Sequence, residues 1–135
     1  MIPEKYYKDL PVSLRPLQKR LIEKSKSIYK SSGIVKNRPK VSSAPTPRST
    51  HAKQFEEKYG FSVSNISKVK DTFPDTDVDM ILSKGRGAYM SSGSRPNVSA
   101  EAWAKARLAS ALTGGKAYNI DKNHIGEISK KKIFS

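Results

Sequence analysis

Lys84-Gly85-Arg86-Gly87-Ala88-Tyr89-Met90-Ser91-Ser92-Gly93-Ser94-Arg95-Pro96-Asn97 runs into Ser99-Ala100-Glu101-Ala102-Trp103-Ala104-Lys105-Ala106-Arg107-Leu108 and closes with Gly114-Gly115-Lys116. This stretch holds five of the eight glycines, the one tryptophan and three arginines of a 135-residue chain. Ser99 can cap a helix over about 99–113 that carries Trp103, Ala106, Leu108, Ala111 and Leu112 and stops at Gly114-Gly115. Upstream, Val78, Ile81, Leu82, Ala88 and Tyr89 give one buried side to a helix of about 76–90. The Asp71 to Asp77 turn supplies carboxylates for its positive end. Gly85 and Gly87 each weaken that helix by roughly 1 kcal/mol relative to alanine, so they fit only where they allow close packing or a break. The stretch therefore reads as a helix-loop-helix in which Tyr89 and Trp103 are core and the arginines stitch the loop by hydrogen bonds to carbonyls. The competing reading is a basic-aromatic patch for nucleic acid, built from Arg86, Arg95, Lys105 and Arg107 beside Tyr89 and Trp103.

Toward the N-terminus, Ser49 or Thr50 can cap a short helix with Ala52, Phe55 and Tyr59 on one side and Gly60 as its stop. Phe61, Val63, Ile66 and Val69 mix β-branched with polar neighbours and are expected as a short extended piece. Residues 34–50 contain Pro39, Pro45 and Pro47 among many Ser and Thr, which predicts an extended linker or arm, either one that orders against a partner or a flexible spacer. Before it, Leu14, Leu17, Leu21 and Ile28 share an apolar stripe on a helix from about 14 to 31. Arg15, Lys19, Arg20, Lys24, Lys26 and Lys30 fill its other faces against Glu23 alone. Such a helix either lies on an anionic surface or is the solvated face of an ordinary packed helix. At the other end a short strand or helix is expected within 117–128, and Lys130-Lys131-Lys132 mark a second basic tail.

The expected architecture is mainly α: a small helical core of about three to four short helices, a long extended basic N-terminal arm and a short basic C-terminal tail. Its segments are 1–50, a basic helix and Pro/Ser-rich arm; 51–125, the helical core; and 126–135, the tail. The 26 basic and 12 acidic residues give a net charge of +14, of which +9 falls on residues 1–58, where 14 Lys/Arg face 5 acids. That field draws nucleic acid, an anionic membrane or an acidic protein surface without choosing among them. The chain has no cysteine, hence no disulfide framework and no thiolate metal site. No stretch reaches the roughly 18 apolar residues of a membrane span, and no signal-peptide core follows Met1-Ile2-Pro3.

Enzymatic chemistry finds no foothold in the residues. Gly85-Arg86-Gly87 lacks the preceding strand and third glycine of a dinucleotide loop, and Gly114-Gly115-Lys116-Ala117 lacks the spaced glycine and Ser/Thr of a Walker loop. His51 and His124 are too few and too far apart to define a metal site. Asp71, Asp75, Asp77 and Asp79 could hold a hard cation or serve acid/base chemistry, but helix capping accounts for them and the calcium-loop glycine and terminal Glu are missing. No catalytic residue, cofactor or metal is expected.

The run from Lys84 through Asn97, then Ser99 to Trp103, Ala106 to Ser110 and Leu112 to Ala117, resembles an uncharacterised domain family of small basic proteins from large (giant) DNA viruses and marine tailed phages. The likeness covers about 70–125. Leu10, Ser25, Tyr29-Lys30, Arg38-Pro39-Lys40-Val41, Ser49, His51 and Tyr59-Gly60 are similar to a second short basic element of giant-virus proteins. The resemblance implies a viral origin and brings no catalytic or binding residue with it. The expectation is then a non-enzymatic virion protein, a minor capsid or cement component, bridging capsid subunits or other virion proteins with acidic surfaces. A packaged, sequence-independent DNA-binding protein is the alternative, and a regulatory protein outside the particle the second. The cations expected to meet the anionic partner are Arg15, Lys19, Arg20, Lys24, Lys26, Lys30, Lys36, Arg38, Lys40, Arg48, Lys130, Lys131 and Lys132. Gly85, Arg86, Gly87, Tyr89, Ser92, Gly93, Arg95, Trp103, Arg107, Gly114 and Gly115 are expected to build the loop joint.

Overall fold

Two prolines mark where the first long helix can begin. Pro11 leads into a single 3-10 turn, Val12–Leu14, and Pro16 lies in the first turn of α1 (Arg15–Ser32), where no backbone amide is needed. Gly33, at φ 71°, ends the helix. In the computed structural model, which describes residues 2–42 and 49–135, six further helices follow: α2 (Thr50–Tyr59), α3 (Ile66–Thr72), α4 (Val78–Ser91), α5 (Ala100–Leu112), α6 (Lys116–Asp121) and α7 (Glu127–Ile133). The protein is mainly helical, and among the described residues the only β pairing is an isolated bridge between Thr76 and Ile125. The chain divides into two units, Met1–Pro47 with Arg86–Trp103 and Arg48–Gly85 with Ala104–Ser135. Neither is one continuous stretch.

In the second unit, Phe55, Val69, Phe73, Ile81, Leu108 and Leu112 are fully buried. The Phe55 ring meets Tyr59 at 4.8 Å and Phe61, edge-on, at 5.3 Å. Such contacts add to the burial itself, which is worth about 1.5–3 kcal/mol per large apolar side chain. Gly85 on α4 lies against Ala104 on α5 so closely that a Cβ there would stand 2.7 Å from the Ala104 Cα. Helix ends are satisfied by side chains. Ser49 accepts from the Ala52 amide at the start of α2, Asn65 from Lys68 on α3, and Asp77 from Met80 on α4. Asp75 does the same at long range, accepting from the Ile128 amide at 2.8 Å, the Ser129 amide at 3.1 Å and the Ser129 hydroxyl, so it caps α7.

The first unit is built around α1. Its inward face carries Gln18, Ile22 and Ser25; Ile22 packs with Ile2 and Tyr6, and Tyr6 meets the half-buried Trp103 edge-on at 5.7 Å. Tyr89, Met90 and Ala100 form a second apolar cluster with Tyr29 and Trp103. Gly93, at φ 104°, brings the loop so near Ile22 that a Cβ would lie 3.0 Å from its methyl group.

Several expectations are corrected. There are seven α-helices among the described residues rather than three or four, because α3, α6 and α7, of six or seven residues each, are too short to show a period in sequence. The stretch expected to be extended over 61–69 ends in α3, which Asn65 initiates. The stripe of Leu14, Leu17, Leu21 and Ile28 is only half-buried, since the buried face is turned toward Gln18, Ile22 and Ser25. A long extended arm is not seen: α1 is packed, and residues 34–42, though without helix, are bonded to their own unit as described below. The rest of the expected arm, 43–48, lies outside the described residues. The basic tail is α7, with Ser129 and Ile133 buried.

Candidate functional site

The first unit carries 13 Lys/Arg against 4 Asp/Glu, the second 13 against 8, so the charge excess is concentrated in the first. Helical periodicity puts the buried Gln18, Ile22 and Ser25 on one side of α1, and Arg20, Lys24 and Glu23 elsewhere on the cylinder. Lys19, Arg20, Lys24 and Lys30 are exposed and Lys26 is half-buried. Among the described residues, none of Arg20, Lys24, Lys26, Lys30, Lys36 and Lys40 is in an ion pair. Lys19 sits 4.3 Å from the Tyr7 ring centre, a cation–π contact that leaves its charge at the surface. Arg15 is different: its guanidinium donates to the Leu10 and Lys8 carbonyls at 3.0 and 2.8 Å and ties down the turn before α1.

Arg38 also leaves the set of surface cations. Its side chain donates to the Tyr89 carbonyl at 2.7 Å and the Ser94 hydroxyl at 2.6 Å, while its guanidinium carbon lies 3.7 Å from the Tyr89 ring centre. Its backbone amide donates to the Tyr89 hydroxyl, which in turn donates to the Val98 carbonyl. Burial lowers its pKa, and the neighbouring Tyr89 and Tyr6 work against that fall. On either side, Asn37 accepts from the Ala100 amide at the start of α5, and Asn97 accepts from Val41 and donates to Ser42. Gln18 donates to the Ser94 carbonyl. The loop between α4 and α5 is thus held by polar groups from residues 18 and 37–42, which sequence reasoning missed. No local signal in the sequence marks these roles, since the inward face of α1 carries two polar residues, Gln18 and Ser25, beside Ile22.

Of the expected joint residues, Arg86 forms a two-pronged pair with Glu101 at 2.5 and 3.1 Å, and Arg95 stands 3.6 Å from Asp9. Both pairs are exposed, so they contribute little. The arginines bond to carboxylates; the carbonyl contacts expected of them are made by Arg38. Tyr89 is fully buried, Ser92 is exposed, and Gly87 meets nothing nearer than the Tyr29 hydroxyl at 3.5 Å from its Cβ position. In the second unit, Arg107 grips Asp121 with two bonds of 2.8 Å, and Lys84 adds a third contact at 3.2 Å to this fully buried carboxylate. Burial by itself raises the Asp121 pKa, but the Arg107 and Lys84 hydrogen bonds and charges outweigh it, and the net shift is downward. Gly114 faces the Phe134 ring and Gly115 leaves no room for a Cβ beside the Ser110 hydroxyl.

The tail lysines divide as well. Lys130 is 3.5 Å from Glu127, Lys132 donates to the Thr72 carbonyl, and Lys131 is exposed. Arg48 lies outside the described residues. Of the four aspartates expected to cap the following helix, Asp77 does so on α4; Asp75 instead caps α7, and Asp79 pairs with Lys70 at 3.0 Å. Among the described residues no three His, Cys, Asp or Glu side chains converge as metal ligands, and no helix is long and apolar enough to cross a membrane.

What remains is a small, mainly helical and strongly basic chain in which, among the described residues, Arg20, Lys24, Lys26 and Lys30 of α1 and Lys36 and Lys40 just after it are in no ion pair. The chain belongs to the Family of unknown function (DUF5824), whose model matches residues 3–125. No curated protein and no solved structure matches it.

Proposed function

We propose that this is a non-enzymatic structural protein of a virus particle, a minor capsid or cement component that docks on acidic surfaces of shell proteins. The observation that carries this reading is the outward side of α1, where Arg20, Lys24 and Lys30 stand exposed without ion pairs and Glu23 is the helix's one acid. An unpaired basic surface attracts and orients an acidic partner at little cost, since none of its cations must first leave a carboxylate. The virus particle comes from the family resemblance of the Lys84–Asn97 run. The docking element is a folded helix in place of a free arm, because residues 34–42 are committed to their own unit.

The test is a triple charge reversal, R20E/K24E/K30E, added to particles stripped of the native protein. The variant is expected to melt like the wild type, because all three side chains are exposed, and to fail to co-sediment with the shells. Unchanged co-sedimentation contradicts the reading. Packaged nucleic acid is the second reading, favoured by the same cations. It predicts duplex binding whose log affinity falls linearly with log salt and ignores sequence.

A further inference from the structure

One concavity in the first unit departs from the charge pattern around it. Leu21 and Ile28 of α1, Pro39 of the following segment and Met90 of the α4 end line a groove of about 200 Å³. Lys24 and Lys36, both exposed, stand at the same groove. The half-burial of Leu21 and Ile28 has its explanation here: they face this groove and not the core that holds Ile22. Ser25, Asn37 and Arg38 complete the wall; Asn37 and Arg38 are engaged with Ala100 and Tyr89, so that side is held in place before any partner arrives. Among the described residues no carboxylate lines it.

Three properties select the occupant. The volume is below the roughly 300–1,000 Å³ of sites that enclose a small molecule, and suits one or two aliphatic side chains. Among the described residues the lining offers no aromatic ring, which disfavours a stacked nucleobase, and it is concave, whereas a membrane takes up protruding apolar groups. The flanking charge is positive on both the helix and the following segment, so the groups beside the anchor must be acidic. We propose that this groove receives an acidic protein segment carrying a single aliphatic anchor, leucine or isoleucine, with its carboxylates against Lys24 and Lys36. The arrangement is that of an interface hot spot, an apolar anchor desolvated in a pocket and surrounded by a polar rim. This deepens the docking reading and rests on it, since it names the chemistry of the partner at the side of α1.

The experiment uses the full chain and a short fluorescent glutamate-rich peptide with one central leucine, beside the same peptide with serine in its place. Fluorescence anisotropy at low salt is expected to show the leucine peptide binding about tenfold or more tightly than the serine peptide, the factor for burying one aliphatic side chain. Ile28→Gln, which leaves the net charge unchanged, is expected to remove that difference while leaving the serine peptide's affinity as it was. Lys24→Glu and Lys36→Glu each weaken both peptides about threefold or more, and Lys131→Glu, the same charge change in the other unit, changes neither by more than about twofold. The serine peptide probes the groove without altering the protein, so no folding defect can imitate the result. Equal binding of the two peptides overturns the groove inference and leaves the basic docking face standing. If neither peptide binds, both readings fall, whatever duplex DNA does.

Discussion

Replacing Gly85 by alanine and, separately, Gly87 by alanine puts the same methyl group two residues apart on one helix, with opposite expected signs. Both glycines lie inside α4, so each replacement gains helix propensity of about 1 kcal/mol. At Gly87 nothing opposes the gain, because the new Cβ meets only the Tyr29 hydroxyl at 3.5 Å, an ordinary contact. At Gly85 the Cβ would stand 2.7 Å from the Ala104 Cα and 3.1 Å from its Cβ. Those are backbone and near-backbone atoms that cannot swing aside, so α4 and α5 must separate locally. Overpacking of this kind costs about 1–3 kcal/mol, which exceeds the propensity gain at its upper end and leaves Gly85→Ala destabilised by up to about 2 kcal/mol. Gly87→Ala is expected to be stabilised by up to about 1 kcal/mol. Thermal melts followed by circular dichroism resolve both, as a chain of this size moves by roughly 3–5 °C per kcal/mol. Equal stabilisation by the two alanines would refute the close approach of α4 to α5 at Gly85.

The Asp121 cluster predicts a loss of about 1–3 kcal/mol in Asp121→Asn, because the Arg107 and Lys84 donors lose their charged acceptor while Arg107 stays half-buried. The folded Asp121 pKa is depressed, so this contribution is fully present above the unfolded carboxylate value near ~4 and is lost as pH falls through the folded value. Urea titrations should therefore show wild type and Asp121→Asn converging in acid. Tyr59 behaves oppositely. Burial raises its pKa to about 12 and its hydroxyl donates to the Leu112 carbonyl, so stability holds below about pH 10 and declines as pH rises through the folded value. Tyr59→Phe should lose about 0.5–1.5 kcal/mol at neutral pH and show none of that alkaline decline. Arg38→Ala removes the charged bonds to Tyr89 and Ser94, worth about 1.5–3 kcal/mol. Hydrogen exchange should quicken at Val41, whose amide is held by Asn97 on the same loop, while the amides of α7 keep their protection.

The long helices were legible because their signals are local. Ser49 and Gly60 bracket α2 as the sequence implies, and Ser99 with Gly114-Gly115 brackets α5. What was not legible depends on partners far along the chain. Asp75 caps a helix more than fifty residues later, and Asn37 caps the start of α5 across 63 residues, so no local spacing could assign either role. Arg38 stood among the surface cations in sequence because nothing nearby distinguishes it from Lys36 or Lys40; its burial follows from the Tyr89 ring it lies against. The rotation of α1 was hidden for a related reason. Leu17, Leu21 and Ile28 look like a core stripe, and Leu21 and Ile28 in fact line a surface groove, while the polar Gln18 and Ser25 go inward. For the candidate docking face, the charge was evident in composition, but which cations stay unpaired could be read only from the structure.

The central claim is that this basic chain is a docking component of a virus shell. Quantitative mass spectrometry of purified particles, full and emptied of genome, tests it most directly. The account predicts a fixed ratio of this protein to the major shell subunit that survives removal of the nucleic acid. Its absence from both preparations, or its loss together with the genome, would contradict the account.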